Sequence, residues 1–366
     1  MKKRILIIHA TYGSGHKTVA TYINDYLKEN TDYEIEMIDF MDYANIIGNI
    51  SKTLFNENFK HKSTLVFNSI FSFFNHTFTT KIYKYATTHI IKEKEFKKYI
   101  TEFNPDVVVS THFFGTIISS LYKKQNLINP RIISIITDYQ IHELWLKEVD
   151  NIDALIVGNK EMKKELLDRN ISKNIIYPYG IPISNKFNEA KDLKEKSNLD
   201  ILFFSGGSIG SSFSYKYLKK LIKSKLNYNI TFVCGHNKKL KKKVDKLVSK
   251  YNHDKIKTLG FTNKVNELLD ECNLVITKPG GISVTECVKK QRPMLLIQGN
   301  GGPENDNLKY LCTKGFALDC KTPKKLNETL KEILTNRKIL NMMYNNLKKE
   351  KQCNSLERIH LLIEKQ

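Results

Sequence analysis

Short apolar runs separated by polar, glycine-bearing breaks recur along most of this 366-residue chain. Residues 5–10, 105–110, 131–136, 154–157 and 175–177 are apolar without strict alternation, the pattern of strands covered on both faces of a parallel sheet. With residues 33–40, which end near Asp39, they predict a first sheet of about six strands. Between its first two strands, residues 14–28 set Val19, Tyr22, Ile23, Tyr26 and Leu27 on one helical face, and a shorter helix is expected over 117–122. Tyr179-Gly180-Ile181-Pro182 and the polar run 188–198 read as a linker. A second series then follows, with strands over 200–204, 230–233, 257–260, 274–277 and 293–297, each passing into a loop rich in Gly, Ser, Thr or Asn. The expected fold class is α/β, with two Rossmann-like domains. Their expected extents are 1–190 and 198–350, with a closing helix over 351–366.

The alternation breaks over about residues 41–100. Within this insert Phe67, Ile70, Phe71, Phe74 and Phe78 recur at helical spacing, flanked by Lys52, Lys60, Lys62, Lys81, Lys84, Lys92 and Lys94. An apolar face bordered by lysines suits a helix lying on an anionic membrane, with Phe67, Phe71 and Phe74 as the residues that would reach lipid. The same stripe also suits packing inside its own domain. Residues 63–80 are too polar to span a bilayer.

A formal net charge of +21 points to an anionic partner: a membrane surface, a nucleic acid or a phosphorylated substrate. An A/T-rich coding bias gives the same excess of Lys, Asn and Ile. Nucleic acid is disfavoured, because no binding module and no basic stripe interleaved with aromatics accompany the charge. The six cysteines form no C-x-x-C pair and read as reduced thiols of a cytoplasmic protein. The apolar run after Arg4 is too short for a signal peptide.

The stretch 278–307, KPGGISVTECVKKQRPMLLIQGNGGPENDN, concentrates the candidate chemistry. A strand runs into Gly280, Gly281 and Ser283 and then a helix, a turn in which backbone N–H groups and the helix dipole favour a phosphate. Glu286, one turn further, is placed for a ribose. The plainer reading is a tight connection followed by a solvated acid. At the other end of the chain, Gly13 and Gly15 let a turn form after the first strand, and His16 then opens the next helix, where the dipole disfavours an imidazolium. Asp138, His142 and Trp145 cluster after another strand. There Trp145 is either a site wall or a core anchor, and Asp138 a site group or a helix cap. The loop S-G-G-S-I-G-S-S after residue 204 has neither the P-loop lysine nor G-x-G-x-x-G spacing, which disfavours an ATPase or a dinucleotide oxidoreductase.

In order and nearly end to end, these loops resemble the GT-B glycosyltransferases of family 28. That group includes the monogalactosyldiacylglycerol synthases and the processive diacylglycerol glucosyltransferases. The carriers are G-S-G-H, T-D-Y-x-x-H-x-x-W, G-I-P, S-G-G-S-I-G, C-G-H-N, G-F-T, K-P-G-G-x-S-V-T-E and G-G-P-E-N-D-N. The resemblance implies a GT-B fold with its two domains facing a cleft, and an inverting transfer of a hexose from a UDP-sugar to diacylglycerol or a glycosyl-diacylglycerol. It implies His16 as general base and Gly207, Ser208, Gly281 and Ser283 at the diphosphate. Glu286 would hold the ribose, Phe261 would lie beside the uracil, and Glu304, Asn305 and Asn307 would address the sugar. Gly15, Asp138, His142 and Trp145 would line the acceptor side. No cofactor or metal is expected, the UDP-sugar being a co-substrate, and the enzyme would work as a peripheral protein on the inner face of the cell membrane. Two departures concern the donor: G-G-P-E stands where relatives carry P-G-Q-E, and His236 where they often carry Arg. The competing expectations are another lipid acceptor, such as a polyprenyl-linked sugar, and a non-catalytic UDP-sugar sensor.

Overall fold

The computed structural model describes residues 2–11, 14–46, 49, 87–193, 198–206, 212–224, 226–251, 254–299, 301–350 and 353–365. Gly13, the phenylalanine stripe with Phe67, Phe71 and Phe74, and the loop residues Gly207 and Ser208 lie outside them. The chain forms two compact units, one of Met1–Ser184, Asn300–Pro303 and Cys353–Gln366, the other of Asn185–Gly299 and Glu304–Gln352.

Unit 1 contains β1 (Arg4–His9), α1 (Ser14–Asn30), β2 (Glu34–Asp39), α2 (Glu93–Phe103), β3 (Val107–Ser110), α3 (Phe113–Lys124), β4 (Arg131–Ile135), β5 (Ala154–Ile156), α4 (Lys160–Asp168) and β6 (Ile176–Tyr177). Its strands pair in parallel in the order β2-β1-β3-β4-β5-β6. The chain leaves β1 to one side for β2 and to the other for β3, so the switch point of the sheet lies between the carboxyl ends of β1 and β3. Open α/β sheets bind ligands at such a point. β1, β3, β4 and β5 are apolar along their length because both faces are covered. The edge strand β2 alternates more exposed and less exposed positions instead.

One helix is longer than the sequence pattern predicts. α3 starts at Phe113 rather than Ile117, because His112 caps it: its Nδ1 accepts from the Phe114 N–H at 3.2 Å. Histidine is not among the usual cap residues, so the start is hidden in the sequence. Gly115 then lets α3 approach the sheet closely. A Cβ there would meet Ser110 Oγ at 2.5 Å and Ile8 Cγ2 at 2.8 Å, which brings His112 hard against the ends of β1 and β3.

Unit 2 contains β7 (Leu199–Phe204), α5 (Ser214–Ser224), β8 (Tyr228–Val233), α6 (Lys238–Lys250), β9 (Ile256–Leu259), α7 (Val265–Glu271), β10 (Leu274–Thr277), α8 (Gly281–Lys289), β11 (Met294–Leu296), α9 (Pro303–Thr313), β12 (Ala317–Asp319), α10 (Pro323–Thr335) and α11 (Lys338–Lys349). The parallel order β12-β11-β10-β7-β8-β9 puts this switch point between β7 and β10. The lysine-rich α6 buries Leu240, Val244 and Leu247 in the core and turns most of its lysines outward, as a solvated face requires.

The last helix, α12 (Ser355–Glu364), belongs to unit 1. Lys3 Nζ donates to the Ile363 carbonyl at 2.9 Å, Arg131 donates to the Lys365 carbonyl at 2.7 Å, and Ser355 Oγ donates to the Tyr179 carbonyl. No described helix is long and apolar enough to cross a membrane.

Candidate active site

At the switch point of unit 1, His16 stands on the third residue of α1, half-buried, with Gly15 beside it in the first turn. Its Nδ1 lies 2.6 Å from the Thr111 carbonyl oxygen. A carbonyl can only accept, so the proton of a neutral ring sits on Nδ1 and the basic lone pair on Nε2. Thr137 Oγ1 is 3.1 Å from the same Nδ1, and Thr111 Oγ1 donates to the His16 carbonyl at 3.0 Å. Three loops, after β1, β3 and β4, thus converge on one imidazole. Asp39 braces the first of them, accepting from the Thr11 N–H at 3.1 Å and the Met41 N–H at 2.9 Å.

The His112 ring meets His16 edge-on at 4.6 Å and leads into an aromatic group with Phe113, Phe114 and Trp145. Trp145 is 5% exposed and packs with Ile132, Ile141, Val149 and Leu155, so of its two readings the structure shows the core anchor. Asp138 is half-buried directly after Thr137. It does not cap the following turn; His142 does, its Nδ1 accepting from the Leu144 N–H at 3.2 Å while its ring stacks on Phe113.

Burial holds both capping histidines neutral. The His112 imidazole is pushed well below its usual range by desolvation and then by the neighbouring His16, His142 and His9. His142 is lowered to about 4 by desolvation. Between the unfolded value near 6.5 and these folded values, the unfolded chain binds more protons than the native one. Their contribution to stability is therefore intact above about pH 6.5 and is lost progressively as the pH falls towards 4. Melting temperatures measured across this window should fall with acid, and His142→Asn, which keeps a cap acceptor but cannot titrate, should flatten the fall. A wild-type profile that is flat over the window would contradict this.

At the switch point of unit 2, β10 runs into Lys278-Pro279-Gly280 and then α8, which has Gly280 as its N-cap with no side-chain cap. Gly281 and Ser283 occupy the first turn, half-exposed, and Glu286 lies at i+3 from Ser283, on the same face and 8% exposed. From the neighbouring β7 the chain continues into Ser205 and Gly206, the latter at φ 136°. Phe261, 50% exposed, stacks on His236 with centroids 4.1 Å apart, a flat ledge beyond the ends of β8 and β9.

The first turns of α9 close onto the glycine turn. Asn307, fully buried, donates from Nδ2 to the Pro279 carbonyl at 3.0 Å, Glu304 pairs with Lys278, and Asn305 is exposed. Asn307 is therefore a brace of the turn. Lys278 escaped the sequence reading: a lysine in a basic chain carries no mark of burial, though its place between a strand and Pro-Gly-Gly was a usable signal. Burial also drives the Cys272 thiol up to about 12 and Cys287 well above its usual value, so these thiols serve as core.

With this geometry in hand, residues 16–183 match the monogalactosyldiacylglycerol (MGDG) synthase family, and residues 201–359 match the glycosyltransferase family 28 C-terminal domain. A processive diacylglycerol beta-glucosyltransferase of Staphylococcus epidermidis is 28% identical over 378 aligned positions, covering 98% of this chain and 91% of the relative. A protein of the same name from Staphylococcus aureus is also 28% identical, over 95% of this chain and 89% of the relative. Among solved structures, MurG of Acinetobacter baumannii superposes with a TM-score of 0.62 at 16% identity, covering 100% of both chains.

Proposed function

Because the chain belongs to the glycosyltransferase family formed by the MGDG synthases and the processive diacylglycerol glucosyltransferases, with a family 28 C-terminal domain and the GT-B fold, we propose that it transfers a hexose from a UDP-sugar to diacylglycerol, or to a glycosyl-diacylglycerol, with inversion. The observation that carries the chemistry is the imidazole of His16, held at a sheet switch point with its proton fixed on Nδ1 by the Thr111 carbonyl.

In this reading the acceptor hydroxyl loses its proton to His16 Nε2 as its oxygen attacks the anomeric carbon. The bond from that carbon to the diphosphate oxygen breaks, and UDP leaves with the electron pair. Attack opposite the leaving group converts an α-linked donor into a β-glycoside. The amides of the first turn of α8 and the amino end of its dipole stabilise the departing diphosphate, and no resident metal is invoked. Glu286 takes the ribose hydroxyls, and the Phe261–His236 ledge takes the base. The net charge of +21 supports work on an anionic membrane surface, at the cytosolic face.

The test is incubation of the purified protein with diacylglycerol vesicles and, separately, UDP-glucose or UDP-galactose, with and without a chelator, reading lipid-bound sugar by mass spectrometry. A hexosyl-diacylglycerol is expected, with UDP-glucose as the first donor to try and with product unaffected by the chelator. UDP binding without any lipid product would favour the sensor reading or another lipid acceptor. In a calorimetric titration with UDP, Glu286→Ala should weaken binding about tenfold, the loss of roughly one charge-assisted hydrogen bond.

A further inference from the structure

The switch point of unit 2 contains a buried ion pair in which the family resemblance gives a role to Glu304 and none to Lys278. Lys278 Nζ lies 3.5 Å from Glu304 Oε1, and the two side chains are 7% and 19% exposed. The carboxylate is confined on other sides as well. A Cβ on Gly299 would come within 2.4 Å of Glu304 Oε2 and 3.0 Å of its Cβ, and one on Gly280 would stand 3.9 Å from Oε1. Asn307, one turn along α9, ties the same helix to the Pro279 carbonyl. Glu304 is thus held against the glycine turn by an ammonium that comes from the strand end itself.

We infer that Lys278 is a positioning residue for Glu304, fixing its carboxylate to receive two neighbouring hydroxyls of the donor hexose. The inference rests on the donor reading above. A carboxylate at the mouth of such a site has several rotamers, and only those that reach the sugar contribute to its recognition. A cation behind it selects one rotamer by holding one carboxylate oxygen, and leaves the remaining lone pairs of the carboxylate to accept from the sugar. Glycine at 299 supplies the complementary condition, since any side chain there would displace the carboxylate. The position of the pair also separates it from the nucleotide. Ser283 and Glu286 lie along α8, whereas Glu304 lies at the start of α9, across the turn.

Glu304 therefore reads the sugar, and Lys278 acts through it. Lys278→Met should leave the affinity for UDP within about twofold of wild type while weakening UDP-hexose about tenfold or more, the size of a lost charge-assisted contact. Lys278→Arg should recover part of the loss. The double variant Lys278→Met with Glu304→Gln should bind UDP-hexose no worse than the weaker single variant, because the two residues form one unit.

Calorimetric titration of the full chain with UDP, UDP-glucose and UDP-galactose, alongside melting curves, decides the matter. Equal loss of UDP and UDP-hexose affinity in Lys278→Met would place the lysine on the diphosphate or in the scaffold and overturn the inference. So would additive losses in the double variant. If the wild-type chain bound no UDP at all, the donor reading itself would fall, and this inference with it.

Discussion

Replacing His16 with Ala is expected to lower turnover by about 10²–10⁴-fold, the usual contribution of a positioned general base, while UDP affinity and melting temperature stay close to wild type. Alanine is a good helix former, and the third position of α1 is only half-buried, so the substitution leaves the scaffold intact. What is lost is the Nε2 lone pair, whose place follows from the Thr111 carbonyl 2.6 Å behind the ring. His16→Gln tests the same point with a side chain that can still bond to Thr111 but has no base to offer, and it should be as inactive. Initial rates of hexosyl-lipid formation, with UDP titration as the control, check both variants. Turnover within a few-fold of wild type in either would remove His16 as the base.

Replacing Arg292 with Met should destabilise unit 2 by roughly 3 kcal/mol, seen as a melting temperature lower by about 6–12 °C. The guanidinium is fully buried just before β11, and its described hydrogen bonds go to backbone carbonyls. Nε donates to the Leu269 carbonyl at 2.5 Å, and one terminal nitrogen donates to the Lys191 carbonyl at 2.7 Å and the Asp270 carbonyl at 3.5 Å. Leu269 and Asp270 are in the last turn of α7, where carbonyls lack helical partners and the dipole favours a cation. The same side chain therefore closes a helix and fastens residue 191 of the linker. Lys290 reinforces it, donating to Asp270 at 3.0 Å and to the Glu189 carbonyl. Methionine fills much of the space but leaves these buried acceptors unsatisfied. Arg292→Lys should fall between the two, since an ammonium cannot span the three carbonyls. Thermal melts check the series, and a Met variant that melts with wild type would show that the carbonyls find other donors.

Most strands are legible because a parallel sheet buried on both faces leaves nearly uninterrupted apolar runs, as in β1, β3, β5 and β10; the edge strands β2 and β9, partly exposed, carry that signal less. The loops after them were legible as sites because glycine, histidine and acid-amide clusters have little reason to recur at strand ends in a plain connector. His112 and His142 are harder: capping by an imidazole depends on ring orientation, which no spacing reveals, so the sequence pattern starts α3 a turn late and offers Asp138 as a cap. Lys278, Lys290 and Arg292 were hidden for another reason. In so basic a chain the expected place of a cation is the solvated surface, and only the fold shows that these are buried against carbonyls or a carboxylate.

The attachment of α12 to unit 1 has a consequence for synthesis. Tyr26 and Tyr33 meet His360 at 6.0 and 6.2 Å, and Lys3 reaches Ile363, so unit 1 stays incomplete until α12 has left the ribosome. The strands and helices of unit 2, β7 to α11, emerge before that. Unit 1, begun before unit 2, is thus completed after it, and through that interval its α1 face waits for a segment more than 300 residues away, as the Lys3–Ile363 separation of 360 positions shows.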